Sequence, residues 1–109
     1  MTENMISTED EFSPDVTLAR NDTHHCYELR VGGKIAVQCF FVDKPGHVDF
    51  TRTETAEGFK GQGLGKVLVH FALDDVVAAG KRIIPSDPFV APYVRRHEGY
   101  KQHVDWPEV

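Results

Sequence analysis

Polar and apolar residues alternate through the first half of the chain, and an amphipathic run with helical spacing follows residue 65, so strands leading into a helix are expected. Residues 15–20 read as a short edge strand, and Asn21-Asp22-Thr23 as the turn after it. Tyr27, Leu29 and Val31 alternate with Cys26, Glu28 and Arg30 up to a Gly32-Gly33 hairpin turn, and residues 35–42 are apolar on both faces, as suits a central strand. Asp43-Lys44-Pro45-Gly46 is the next turn, and residues 47–55, rich in Thr, Val and Phe, the next strand. Together these predict an antiparallel meander. The run 66–79 predicts a helix that buries Leu64, Val67, Leu68 and Phe71 and presents Lys66, His70 and Asp74 to solvent, with Gly80 as its cap. Residues 81–85 form a short strand, placed parallel to 47–55 by a right-handed crossover. A second helix is expected from Ser86 or Asp87 as N-cap, with Pro88 at its first position, to about His97. Pro92 is a reason for that helix to kink or restart.

The connection into the first helix is the most informative segment. Lys60-Gly61-Gln62-Gly63-Leu64-Gly65 is a glycine-rich turn at a helix N-terminus, where backbone N–H groups and the positive dipole end converge on an anion. Two nucleotide-binding patterns fail on it. The dinucleotide fingerprint G-x-G-x-x-G, counted from Gly61, ends on Lys66, and the nucleoside-triphosphate loop finds Lys60 in its first glycine slot and Val67 where Ser or Thr is required. A pattern of Gln or Arg, two residues, Gly, one residue and Gly or Ala fits, with Lys60, Gly63 and Gly65 in its slots. Lysine in the first slot keeps the charge and loses the guanidinium fork.

That loop resembles the acetyl-CoA pyrophosphate loop of the GNAT acyltransferases. Over about two thirds of the chain, from Tyr27 to Tyr100, the sequence is similar to very short single-domain members of that family. The similarity rests on Tyr27-Glu28-Leu29, Val48-Asp49-Phe50-Thr51-Arg52-Thr53-Glu54-Thr55, the glycine loop, Ile84-Pro85-Ser86-Asp87-Pro88-Phe89-Val90 and Tyr93-Val94-Arg95-Arg96-His97. Arg52 stands where those members usually have histidine and Asp87 where they usually have cysteine, which rules out thiol chemistry at 87. The resemblance implies an α/β (α+β) minimal GNAT-like fold, an antiparallel meander followed by a β-α-β-α unit. It lacks the first two helices of larger GNAT enzymes, since only Asn21-Asp22-Thr23 separates the first two strands, and an open acceptor side is expected.

The implied activity is acetyl-CoA-dependent N-acetyl transfer to an unknown amine, macromolecular acceptors included. A CoA- or acyl-CoA-binding module without efficient catalysis is the alternative, and a protein-interaction domain without CoA a third reading. The resemblance assigns CoA binding to Thr53, Thr55, Lys60, Gly61, Gln62, Gly63, Leu64, Gly65 and Lys66, with strand backbone from Thr53 to Ala56 at the thioester. It suggests Asp49 as the base, with Glu54 and His47 as competitors, and simple alternation puts Asp49 and Glu54 on opposite sheet faces. Tyr93 is the nearest candidate for the acid, offset by about two residues from the family's usual tyrosine, where Arg95 sits. Asp87 is read as a helix N-cap in preference to an acid at the thioester.

At 109 residues the chain supports one domain, assigned to residues 15–109 behind an acidic leader at 1–14. The net charge of -5 argues against a nucleic-acid partner, so a CoA site must be a local positive patch. No apolar run suits a membrane span and no secretion signal is visible, so a cytoplasmic protein is expected, a monomer or weak dimer. Cys26 and Cys39 lie symmetrically about the Gly-Gly turn and should face each other, as reduced thiols. The six histidines lack ligand spacing and no metal is expected. Trp106 is read as packing on the domain.

Overall fold

The computed structural model describes residues 15–107. Its strands β1 (Val16–Asn21), β2 (Cys26–Val31), β3 (Lys34–Lys44), β4 (His47–Thr55) and β5 (Arg82–Pro85) form one sheet in sequential order. The first four are antiparallel and β5 is parallel to β4. Helix α1 (Leu64–Ala78) makes the crossover, α2 (Val90–Arg96) follows β5, and a 3-10 turn, Glu98–His103, leads to a bridge between Val104 and Ile83. This is the expected meander and β-α-β-α unit, and the four residues between β1 and β2 leave no room for intervening helices.

One face of the sheet carries Tyr27, Leu29, Val37, Phe41, Val48 and Phe50, all buried against α1. At about 1.5–3 kcal/mol for each large apolar side chain removed from water, this face dominates the stability. The helix presents Leu68, Val69, Ala72, Leu73 and Val76 to it, a stripe rotated from the expected one. Leu68 is common to both, Leu64 and Phe71 are half-buried, and Val67 is 45% exposed. The helix is apolar over more than half its circumference, so periodicity offers two seams and docking on the sheet selects one. It also begins two residues early, at Leu64, with Gly63 in the left-handed region (φ 75) as its N-cap, so Leu64 and Gly65 belong to the first turn.

Two bulges alter the expected faces. Arg30 pairs with Ile35 but Leu29 with Val37, which leaves Ala36 as the extra residue and sets Cys26 opposite Phe40 and Cys39 opposite Tyr27. A slip of one residue exchanges faces, so the two cysteines do not face each other. Cys26 lies by Glu28 and Gln38 on the face that no helix covers, and Cys39 by Thr53 on the helix side. In β4, Phe50 pairs with Phe41 but Arg52 with Phe40, so Thr51 is extra and Asp49 and Glu54 share the helix-free face instead of opposing each other.

Helix α2 begins at Val90, two residues later than expected, although Asp87 makes the capping bonds expected of it, to the N–H groups of Phe89 and Val90. Pro88 precedes it, and Pro92 lies in its first turn, where a missing N–H costs no intrahelical bond, so the helix neither kinks nor restarts there. Trp106 packs under the Arg95 guanidinium, 4.7 Å above its ring.

Candidate functional site

Strands β4 and β5 part company at Phe50 and Pro85, their last paired residues. One further backbone bond, from Asp87 N–H to the Phe50 carbonyl at 2.8 Å, closes the joint. Beyond it β4 continues to Thr55 paired only with β3, so its other edge carries alternate N–H and C=O groups with no strand partner. The opening is a splay between β4 and the start of α2. At its wide end lies an open groove of about 570 Å³, lined by Thr53, Glu54, Thr55, Lys60 and Gly61. A smaller cleft of about 150 Å³ adjoins it between Thr55, Phe59, the glycine loop and Phe89.

The loop has the backbone conformation of a tight glycine turn. Gly61 and Gly63 take φ values of 78 and 75, a region that other residues enter at a cost. The α1 N-terminus has no side-chain cap and no acidic residue in its first turn, so its N–H groups are left to an outside acceptor. Lys60 is exposed and shares its charge with Glu57 at 3.6 Å.

Of the nine residues assigned to cofactor binding, eight line the groove or the cleft. Gln62 does not; its side-chain amide turns back to the Gly58 carbonyl at 3.3 Å. Two lining residues, Phe59 and Phe89, were not anticipated there, and Glu54 was expected only as backbone at the thioester and as a competing base. Phe89 is 40% exposed although it is large and apolar, and the signal for it was a phenylalanine directly after the Asp87-Pro88 turn.

Asp49 and Tyr93 are not brought together. Asp49 is 8% exposed on the helix-free face; its Oδ2 accepts from Lys44 Nζ at 2.9 Å and its Oδ1 has no partner among the described residues. Tyr93 is on the helix side, stacked on His97 with ring centroids 3.9 Å apart and its hydroxyl 3.3 Å from His70 Nδ1. Burial, then the Asp74 charge, raise its pKa, so the phenol keeps its proton through neutral pH. Of the competing bases, Glu54 lines the groove but is paired with Arg52 at 2.6 Å. His47 is remote, held by the Pro45 carbonyl and Asp105. Asp87 is 3% exposed and caps α2, its Oδ2 accepting from the N–H groups of Phe89 (3.0 Å) and Val90 (2.9 Å).

A parallel strand pair that splays beside a glycine loop, with an uncapped helix following, defines the domain as α/β with an open groove at the splay. The profile of the GCN5-related N-acetyl-transferase family matches residues 26–104, and the chain belongs to that family. Among solved structures, the ribosomal-protein-S18-alanine N-acetyltransferase from Escherichia coli is similar in fold, with a TM-score of 0.52 at 14% identity. The match covers 76% of this chain and 48% of that one, so this chain spans about half the length of the enzyme it resembles. No curated protein matches.

Proposed function

We propose that the protein is a minimal acetyl-CoA-dependent N-acetyltransferase whose acceptor is an amine reaching an open sheet face. The carrying observation is that the groove along the unpartnered edge of β4 adjoins, through Thr55 and Gly61, the cleft at the uncapped α1 N-terminus. Loop amides and Lys60 suit a diphosphate, and the free strand edge suits a pantetheine arm, whose two amides can bond as a strand would. The carrier supplies an activated acyl thioester. The chain's own part is to hold that arm extended and to accept the amine's proton. We assign the base to Asp49, whose Oδ2 is paired with Lys44 but whose Oδ1 is unengaged among the described residues, whereas Glu54 is paired with Arg52. The acid assignment to Tyr93 rests on the family resemblance alone.

A second reading, a CoA-binding module with little catalysis, is favoured by the placement of Asp49 and Tyr93 on opposite faces of the sheet. One experiment separates the two. Purified protein is titrated with CoA and then given acetyl-CoA with polyamines, lysine peptides and peptides with a free alanine N-terminus, the last because the similar enzyme is named for a ribosomal-protein alanine. The proposal expects micromolar binding and acetyl-amine product, with product formation lost in Asp49→Asn and Tyr93→Phe. Binding without product selects the module; no binding removes both.

A further inference from the structure

Past the last β4–β5 pair, one side-chain hydrogen bond spans the splay among the described residues. Thr53 Oγ1 donates to Asp87 Oδ2 at 2.9 Å. The same oxygen receives the Phe89 and Val90 amides, so three donors from two walls converge on it. Thr53 has a single hydroxyl hydrogen, and a buried carboxylate is its strongest acceptor. Cys39 Sγ, 3.7 Å from Thr53 Oγ1, is therefore left to donate its own S–H to that oxygen. Burial pushes the Cys39 thiol up to about 12, which keeps it protonated for that role. The resulting chain from Cys39 through Thr53 to Asp87 ties β3 and β4 to the start of α2.

Both walls tied in this way are site walls. Thr53 lines the groove, and Phe89, whose N–H is fixed by Asp87, lines the cleft beside the glycine loop. Building on the acetyl-CoA reading, we propose that Asp87 is a positioning residue: by holding Thr53 on one side and Phe89 on the other, it sets the width at which the splay grips the pantetheine arm. The phosphates are held by loop amides whose conformation is set within the loop, at Gly61 and Gly63, so they depend on that width less than the arm does. Asp87 thus governs the share of affinity that comes from the arm.

The test compares two ligands by calorimetry, CoA and adenosine 3′-phosphate 5′-diphosphate, which is CoA without its arm. In Asp87→Ala and Thr53→Val the affinity for CoA falls about tenfold, as for a lost charge-assisted hydrogen bond at a wall, while the diphosphate binds within about twofold of its original strength. Thr53→Ser keeps the donor and retains the original ratio. A merely stabilising cap would lower the melting temperature and leave the ratio of the two affinities unchanged, and that result overturns the proposal. If Asp87→Ala does not fold, the contrast between Thr53→Val and Thr53→Ser reads the same quantity. A wild-type protein that binds neither ligand removes the acetyl-CoA reading and this inference with it; one that binds CoA, with variants of unaltered ratio, removes this inference only.

Discussion

A Cβ atom placed on Gly65 would lie 2.9 Å from Cζ of Phe89, so the first turn of α1 and the approach to α2 touch in the wall of the cleft. Gly65 does not have a positive φ, and alanine there is favoured within a helix by about 0.5–1 kcal/mol. Gly65→Ala is therefore expected to leave the melting temperature unchanged or higher. It displaces the Phe89 ring into the cleft and weakens CoA binding about tenfold by that steric route. In a Phe89→Ala background the added methyl loses its three nearest contacts, all of them ring atoms of Phe89, so the penalty of the second change should vanish in a double-mutant cycle followed by calorimetry.

Lys60 occupies the slot where the family pattern has Gln or Arg. A guanidinium there can bond two phosphate oxygens at once, so Lys60→Arg should tighten CoA binding by about threefold and Lys60→Ala should loosen it by a similar factor. The difference between Lys60→Ala and the parent should shrink from 50 to about 500 mM salt, because an exposed charge is screened. A salt-independent difference would mean that the lysine stem, and not its charge, makes the contact.

Gly63 has a different requirement. Its φ of 75 lies in the left-handed region, so Gly63→Ala costs about 1–2 kcal/mol of stability with or without ligand. A denaturant titration in the absence of CoA reads that cost directly, and an unchanged midpoint would show that the loop relaxes.

Cys26 and Cys39 are both buried and lie on opposite sheet faces. Exposure of the native protein to a mild oxidant should leave two titratable thiols once it is unfolded, and a thiol reagent should react with neither at neutral pH before unfolding. Loss of both thiols as an intramolecular disulfide would contradict the register reported for β2 and β3.

Arg82 and His47 share the Asp105 carboxylate, which fastens the tail to the start of β4 and β5. The bond to the Pro45 carbonyl, then that to Asp105, raise the His47 pKa above its ordinary 6.5; such a group stabilises the fold fully below 6.5 and loses its contribution as pH rises through the raised value. Arg82, then His47, hold Asp105 below its ordinary 3.8, so its contribution is present above 3.8 and lost as pH falls through the lowered value. The clamp is thus strongest between about pH 4 and 6.5. The melting-temperature gap between the parent and His47→Gln should be wider at pH 5.5 than at pH 8.5, and a gap that does not change with pH would remove the charge from the account.

The strands, the helix after the glycine loop and the cap at Asp87 were legible because each rests on local chemistry: alternation, turn residues, and a short acid before a proline. The sheet faces of Cys39 and Glu54 were not, because Ala36 and Thr51 each add one residue to a strand and invert the parity of everything beyond. No local preference marks either residue as a bulge. Phe89 escaped notice for a related reason: an apolar residue after a turn reads as core until its neighbours are known.

The sequence by itself determined that a glycine-rich loop sits between a strand and the N-terminus of a helix, since glycines and helix-forming residues act within a few positions of one another. Only the tertiary structure decided which walls face that loop. The splay of β4 from β5, the reach of Thr53 to Asp87 and the separation of Asp49 from Tyr93 depend on strand register and helix docking. Those are fixed by burial of the sheet's apolar face against α1, a long-range balance that no short window of residues contains.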